Sequence, residues 1–298
     1  MNYPPQIIAT NETLNSALEV WFIQNLIFSG APFITGYIPE NISSEIVIYL
    51  ELNNIDRSMV RRLRVLGKKV VLYHMGDELA QKDITAYKEF DLVVRNYYFE
   101  HIFTAPQTNL IWAPNGYKSG VGPRQSEHLK SAIERKNLAC FLGWLSNEKS
   151  FQNERLRFSL AAKECKNLKL LSSNGFASGF NTSLYAATME DSIFTPCPAG
   201  NSPETIRLYD ALESGCVPIT LHHDFINSPL ALASIGQPPF PILKSWDQLP
   251  SFLESMSDQL RTDPSLVPLL QQETIQWWTN FKMSLQSRVL DQIRLLGQ

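Results

Sequence analysis

At 298 residues the chain is long for one domain and sufficient for two of roughly 130–160 residues, each with its own core. A net charge of −3 with no long Lys/Arg run excludes a dedicated nucleic-acid binder. The 44% hydrophobic and 11% aromatic content is that of an ordinary soluble enzyme.

The N-terminus, Met1-Asn-Tyr-Pro-Pro5, lacks a basic run followed by an apolar stretch, so no secretory signal is expected. Val20 to Ile34, the most apolar early segment, is interrupted by Gln24-Asn25 and Ser29-Gly30 and is too short to span a bilayer. A cytoplasmic protein without a membrane span is the expectation. Gln6 to Thr10 fits a short first strand, and Thr13 to Ser29 has helical periodicity, with Leu14, Leu18, Trp21, Phe22 and Leu26 on one side. Glu45 to Leu50 reads as a strand and Asp56 to Leu66 as a helix stopped at Gly67. Lys69 to His74 is a strand entering the turn Met75-Gly-Asp-Glu78, and Asp91 to Arg95 and Asn109 to Ala113 follow as strands. From Ser119 to Lys136 the sequence turns polar, with His128 to Arg135 a candidate connecting helix. This linker divides the chain into an N-terminal part, 1–125, and a C-terminal part, 126–298.

A second alternating run begins with the strand Leu138 to Leu142. A helix near Asn153 to Cys165, a strand Leu168 to Ser172 and a short helix Ser183 to Met189 follow. This alternation is the mark of an α/β fold. Cys140, Cys165, Cys197 and Cys216 lack CxxC spacing; Cys140, Cys197 and Cys216 sit in apolar, strand-like contexts and read as small buried residues.

The most informative segment runs from Phe194 to Ile219. A strand ends in a Pro/Gly loop, in which Asn201 or Ser202 is expected to cap a helix with Pro203 in its first turn. Gly215 stops that helix, and Cys216 to Leu221 is apolar enough for a covered parallel strand. Free N–H groups at the carboxyl end of a strand make an anion site. A nucleotide diphosphate is placed there, on Pro198, Gly200, Asn201 and Ser202. At about 100° per residue, Leu208, Ala211 and Leu212 face the sheet, while Arg207 and Asp210 share another stripe. Those two are either a surface ion pair or a phosphate donor and a ribose acceptor. Further on, Phe240 to Leu243 fits a strand, Trp246 opens a helix, and Pro264 to Leu296 is long and amphipathic.

Pro198-x-Gly-x-Ser-Pro-x-x-x-Arg-Leu-x-Asp-Ala-Leu-x-x-Gly-Cys-Val-Pro218 resembles the signature of the exostosin family of inverting glycosyltransferases. The resemblance implies two Rossmann-like domains facing across a cleft (GT-B type), the first compact, and a sugar taken from a nucleotide diphosphate, usually UDP. It implies Arg207 on the diphosphate and Asp210 on the ribose, where the family usually has Glu. Related retaining transferases carry a second Glu eight residues earlier; Ser202 stands there, which fits the inverting branch. Gly143 either lets a ligand approach the backbone or is a turn glycine only. Of Arg155 and Arg157, the second is the choice for the arginine that the family brings to the diphosphate.

In the first half, Gly-Asp-Glu78, Arg95-Asn-Tyr97 and Pro114-x-Gly-Tyr-Lys118 resemble, in that order, the acceptor domain of the ribitol xylosyltransferase-like branch. His74, Arg95, Asn96, Asn115, Tyr117 and Lys118 are thereby expected at the acceptor. Sugar-nucleotide transferases of this architecture often send the last helix back to the first domain. Glu273 to Leu296, anchored by Trp277, Trp278 and Phe281, either does so or caps the second domain alone.

An inverting transfer needs a base for the acceptor hydroxyl and positive charge for the leaving diphosphate. Asp77 is the expected base, with Glu78 second, although Asp77 also suits a helix cap. With no Asp-x-Asp motif, neither a metal nor a cofactor beyond the UDP-sugar co-substrate is expected. His222-His-Asp224 is a poor metal site, because neighbours on an extended segment point to opposite faces. Tyr117 or Tyr185 could stack on a sugar or uracil, with core packing as the alternative, and the loop Ser172 to Gly179 is assigned to donor selectivity. The expected partners are a UDP-sugar and a carbohydrate or polyol-phosphate acceptor in surface polysaccharide or glycoconjugate synthesis. Two alternatives remain: a catalytically inactive nucleotide-sugar-binding module, and a transferase using a GDP-sugar.

Overall fold

In a computed structural model, which describes residues 4–52, 54–105, 109–175 and 178–298, the strands gather into two sheets. Their pairings are parallel throughout. The first sheet holds β1 (Gln6–Ala9), β2 (Phe33–Ile34), β3 (Ile46–Glu51), β4 (Lys69–His74), β5 (Leu92–Arg95) and β6 (Leu110–Trp112). Its order is β2-β1-β3-β4-β5-β6. Strands covered on both faces read as continuous apolar runs, and these alternate between two clusters. Ile48, Leu50, Val71 and Val94 join the core shared with the second half. Val47, Tyr49, Leu72 and Val93 pack on the other side with Met59, Val60 and Leu63.

Among the described residues the helices of this half are α1 (Asn11–Ser16), α2 (Arg57–Val65) and α3 (Glu100–Phe103). Asp56 Oδ1 caps α2 by accepting the N–H groups of Ser58 (2.9 Å) and Met59 (3.1 Å). The expected helix over Thr13 to Ser29 is broken. After α1 the backbone is extended at Ala17, and a π-helical turn follows at Phe22–Ile27. Ser119 occupies the break: its N–H donates to the Leu18 carbonyl (2.7 Å), and its Oγ accepts the Trp21 N–H (3.2 Å). Those bonds replace the ones a continuous helix would make. The connecting helix over His128 to Arg135 is also absent, replaced by 3-10 turns at Ser126–His128 and Ala132–Glu134. The second is closed on itself by a capping box between Ser131 and Glu134.

The second sheet holds β7 (Asn137–Trp144), β8 (Leu168–Ser173), β9 (Ser192–Pro196), β10 (Val217–Leu221) and β11 (Ile242–Leu243), ordered β11-β10-β9-β7-β8. With it run α4 (Glu154–Glu164), α5 (Thr182–Glu190), α6 (Ile206–Glu213), α7 (Asp224–Asn227), α8 (Leu249–Thr262) and α9 (Leu266–Leu295). The chain leaves β7 for β8 on one side and returns to β9 on the other, so a topological switch point lies between β7 and β9. All four cysteines are buried and free. The molecule is therefore two Rossmann-like α/β domains facing across a cleft. Among the described residues no helix is long and apolar enough to cross a membrane.

Helix α9 ties the halves together. Gln271 Nε2 donates to the Gly215 carbonyl (2.8 Å) in the second half. Further along, Gln286 donates to Leu26 (2.5 Å) and Arg288 to Trp112 (3.2 Å) in the first. Between them, Phe281 meets Trp112 edge-on at 6.2 Å and Trp278 stacks at 6.5 Å on Phe22. Phe281→Ala would empty the middle of this clasp, so a loss of about 3–5 kcal/mol is expected. A shift of the urea unfolding midpoint reads it directly.

Candidate functional site

Both sheets point their carboxyl ends at a cavity of about 240 Å³. The second half forms the floor: Gly143 and Trp144 at the end of β7, Arg155 on α4, Tyr185 on α5, the loop Gly200 to Ser202, and Arg207 and Asp210 on α6. The first half forms the roof with Leu18 and Glu19 after α1, Glu78 after β4, Tyr97 after β5, and Asn115 and Lys118 after β6. Open α/β sheets bind ligands at such switch-point crevices.

The loop before α6 departs from its expected form. The helix begins at Ile206 with Thr205 ahead of it, so Asn201, Ser202 and Pro203 stand outside the helix and cap nothing. Other bonds hold the loop extended. Glu154 Oε1 accepts the Ala199 N–H (2.9 Å), the Gly200 carbonyl accepts the Phe151 N–H (2.8 Å), and the Glu204 side chain is drawn into the first half. Gly200, Asn201 and Ser202 line the cavity, whereas Pro198 lies outside the lining.

Arg207 and Asp210 are both buried, which removes the surface ion-pair reading. The Arg207 guanidinium sits 4.2 Å from the centre of the Phe141 ring, and its Nε and Nη1 have no hydrogen-bond partner among the described residues. A Cβ at Gly143 would fall 2.4 Å from Arg207 Nη2, so this glycine makes room for the arginine itself. Arg155, not Arg157, is the second cation of the floor. It donates from Nε to the Ala199 carbonyl (2.8 Å) and from Nη1 to Trp144 (3.2 Å). Burial, and then the charge of Arg207, bring the Arg155 pKa down to about 9. The helix register turns Arg157 outward, where it donates to the Gln152 carbonyl (2.6 Å). Asp210 accepts the Lys118 N–H (2.7 Å) and the Tyr185 hydroxyl (3.0 Å), and burial pushes its carboxyl up to about 6.

The first-half motifs divide. Asp77 is not available as a base: its side chain is 3% exposed and its Oδ2 lies 3.1 Å from Arg95 Nη2. Its Oδ1 accepts the Gln81 (2.8 Å) and Lys82 (3.0 Å) N–H groups, closing the turn. Arg95 is fully buried and donates to the Tyr87 hydroxyl (2.5 Å), which also bonds His74 Nδ1 (2.6 Å). Burial, and then the Arg95 charge, bring the His74 pKa down to about 3. His74, Asp77, Arg95 and Tyr87 thus knit the end of β4 to that of β5, and none of the four is among the residues that line the cavity. Asn96 donates to the Met75 carbonyl (2.9 Å) and to Asn115 Oδ1 (2.6 Å) and is likewise structural. Tyr117 packs edge-on to Phe22 at 5.3 Å. Gly116, at φ +74°, has no room for a Cβ, which would come within 2.1 Å of that ring. Glu78, Asn115 and Lys118 do reach the cavity, and Glu78 Oε1 accepts the Asn201 amide (2.7 Å) across the cleft.

Two carboxylates escaped the sequence reading. Glu204 Oε1 accepts the Asn115 N–H and the Tyr209 hydroxyl, each at 3.0 Å. Its Oε2 accepts the Tyr98 N–H (3.1 Å) and the Trp112 indole N–H (3.2 Å). Burial raises its pKa, opposed by those donors. Nothing in the local sequence marks it. Glu19 is 7% exposed, and burial pushes its carboxyl up to about 7. Its signal was legible: an acid between Leu18 and Val20 in an apolar stretch. His222 is exposed, and His223 Nε2 lies 3.2 Å from Glu154 Oε2. Among the described residues no group of three or more His, Cys, Asp or Glu could hold a metal ion. Of the loop Ser172 to Gly179, Ser173, Gly175 and Ser178 line the cavity, while Phe176 and Ala177 lie outside the described residues.

Glu204→Ala would strand several buried donors at a cost of about 1–3 kcal/mol each. A destabilisation of at least about 3 kcal/mol is expected on that basis, measured as a lowered urea midpoint at neutral pH.

Residues 123–295 match the family model of the RXYLT1 C-terminal domain. Ribitol-5-phosphate xylosyltransferase 1 of Danio rerio is 28% identical over 116 residues, covering 35% of this chain and 25% of that relative. The match thus spans about a quarter of the curated relative's length. Among solved structures, the UDP-forming α,α-trehalose-phosphate synthase of Burkholderia vietnamiensis superposes with a TM-score of 0.46 at 10% identity, covering 85% of this chain and 73% of that one. An O-GlcNAc transferase mutant of Thermobaculum terrenum gives 0.46 at 12% identity, covering 98% and 66%. With the family model covering more than half of its length, the chain belongs to the RXYLT1 C-terminal domain family.

Proposed function

We propose that the chain is an inverting, metal-independent glycosyltransferase. It would move a sugar from a UDP-sugar to a polyol-phosphate or glycan hydroxyl, in surface polysaccharide or glycoconjugate synthesis. The observation that carries this reading is Arg207: a buried guanidinium with two donors unpaired, beside Arg155, at the switch point of a parallel sheet. Two neighbouring buried cations are stabilised by an anion between them, and a diphosphate supplies one. Each Asp210 oxygen accepts one bond from the protein, and a carboxylate oxygen has a second lone pair for a ribose hydroxyl. As the glycosidic bond to the diphosphate breaks, Arg155 and Arg207 stabilise the charge that develops on the leaving oxygen. The resemblance of residues 198–218 to the exostosin signature supports a UDP donor. The name of the Danio rerio relative makes a pentose and a polyol phosphate the first donor and acceptor to try.

UDP is expected to raise the melting temperature of the protein, by more than GDP does. Arg207→Ala should weaken UDP binding by about 10–100-fold, the equivalent of losing a charged hydrogen bond worth about 1.5–3 kcal/mol. Release of UDP from UDP-xylose should depend on added ribitol 5-phosphate. A shift with GDP alone would move the donor assignment. UDP binding without turnover on any donor and acceptor pair would leave a binding module in place of an enzyme.

A further inference from the structure

We propose that Glu19 is the catalytic base of the transfer, accepting the proton of the acceptor hydroxyl; this rests on the transferase reading above. Among the described residues four carboxylates line the cavity: Glu19, Glu78, Glu204 and Asp210. The oxygens of Glu204 are taken up by four protein donors. Asp210 lies on the floor beside Arg207, on the side assigned to the donor nucleotide. Glu78 bonds Asn201 in an exposed position across the cleft. Glu19 lines the cavity from the first half, opposite the half that carries the arginines, and is buried.

The backbone is built to put it there. Without the break at Ala17, residue 19 would continue the α1 helix. Ser119 instead holds Leu18 and Trp21, which flank Glu19 and Val20, through a donated and an accepted bond. Ser119 follows Lys118, whose N–H holds Asp210, so a single loop orients both the proposed base and the proposed ribose ligand.

Glu19 is coupled electrostatically to Glu204 from the loop before α6, Tyr73 from β4 and Tyr97 after β5, and Lys118 lines the same cavity. Burial first, with the Glu204 charge adding to it, sets a pKa of about 7. A general base works best with a pKa near the operating pH. In the step itself the Glu19 carboxylate takes the hydroxyl proton as the acceptor oxygen bonds to the anomeric carbon. The bond from that carbon to the diphosphate oxygen breaks on the opposite face, and its electron pair leaves on the diphosphate, beside Arg155 and Arg207. The sugar is inverted, and Glu19 is left protonated until solvent removes the proton.

The test compares Glu19→Gln, Glu19→Asp and Glu78→Gln in the full chain, with UDP as the binding probe and UDP release as the rate. Glu19→Gln should lower kcat by at least about 100-fold while keeping the UDP-induced melting shift. Wild-type kcat/KM should fall tenfold per pH unit below about 7, since only the carboxylate form is competent. The limb near 7 should vanish from the residual activity of Glu19→Gln, leaving only the lower one that Asp210 gives near 6, return with part of the rate in Glu19→Asp, and persist in Glu78→Gln. An acid limb near 7 unmoved in Glu19→Gln, or a rate within tenfold of wild type, overturns the assignment. So does a loss of the UDP shift in parallel with the rate, which would mark a structural role. Failure of the wild-type protein itself to bind UDP or turn over would instead overturn the transferase reading, and Glu19 as base with it.

Discussion

The carboxylate of Glu204 is the constraint on which the arrangement depends. It stands in the loop before α6 of the second half, yet three of its four donors, Tyr98, Trp112 and Asn115, belong to the first. A buried charge is tolerated only when its lone pairs are filled, so the ends of β5 and β6 must sit where they can reach it. That requirement fixes how the carboxyl ends of the two sheets face each other, and so the width of the cavity between them. Helix α9 secures the same geometry from behind, through aromatic packing against Phe22 and Trp112.

Given that arrangement, each half brings both signs of charge to the cavity. Arg155, Arg207 and Asp210 lie on the second-half floor, and Glu19, Glu78 and Lys118 on the first-half roof. Paired cations suit a leaving anion, and a buried carboxylate suits a proton to be taken up. The arrangement rests on small means: a glycine at position 143 that clears space for a guanidinium, and a serine at position 119 that bonds across the break in a helix.

Several motifs carried structural weight where a ligand contact was expected. Pro-Asn-Gly-Tyr-Lys118 is mainly a strap between the halves: Asn115 serves Glu204, Gly116 admits the Phe22 ring, and the Lys118 N–H serves Asp210. Gly-Asp-Glu78 splits between a buried ion pair at Asp77 and a cavity carboxylate at Glu78. In each case residue type and position after a strand were legible, but neighbouring side chains at a strand end point in different directions. Which one meets the cleft depends on the turn. Asp77, at φ +63°, folds its carboxylate back onto its own turn.

From the residues alone, the alternating α/β pattern, the apolar strands, the buried cysteines and the importance of the Phe194 to Ile219 segment were all readable. So was the helix stripe that carries Arg207 and Asp210 to the cavity, because periodicity is a local property of the chain. The place of Glu204, the choice of Arg155 over Arg157 and the burial of Glu19 were decided only in three dimensions, each for the same reason. Their partners lie far away in sequence: Trp112 for Glu204, Ala199 for Arg155, and Ser119 for the backbone around Glu19. Local sequence sets which way a helix face or strand points; burial, and the charge it perturbs, is set only when two sheets close on each other.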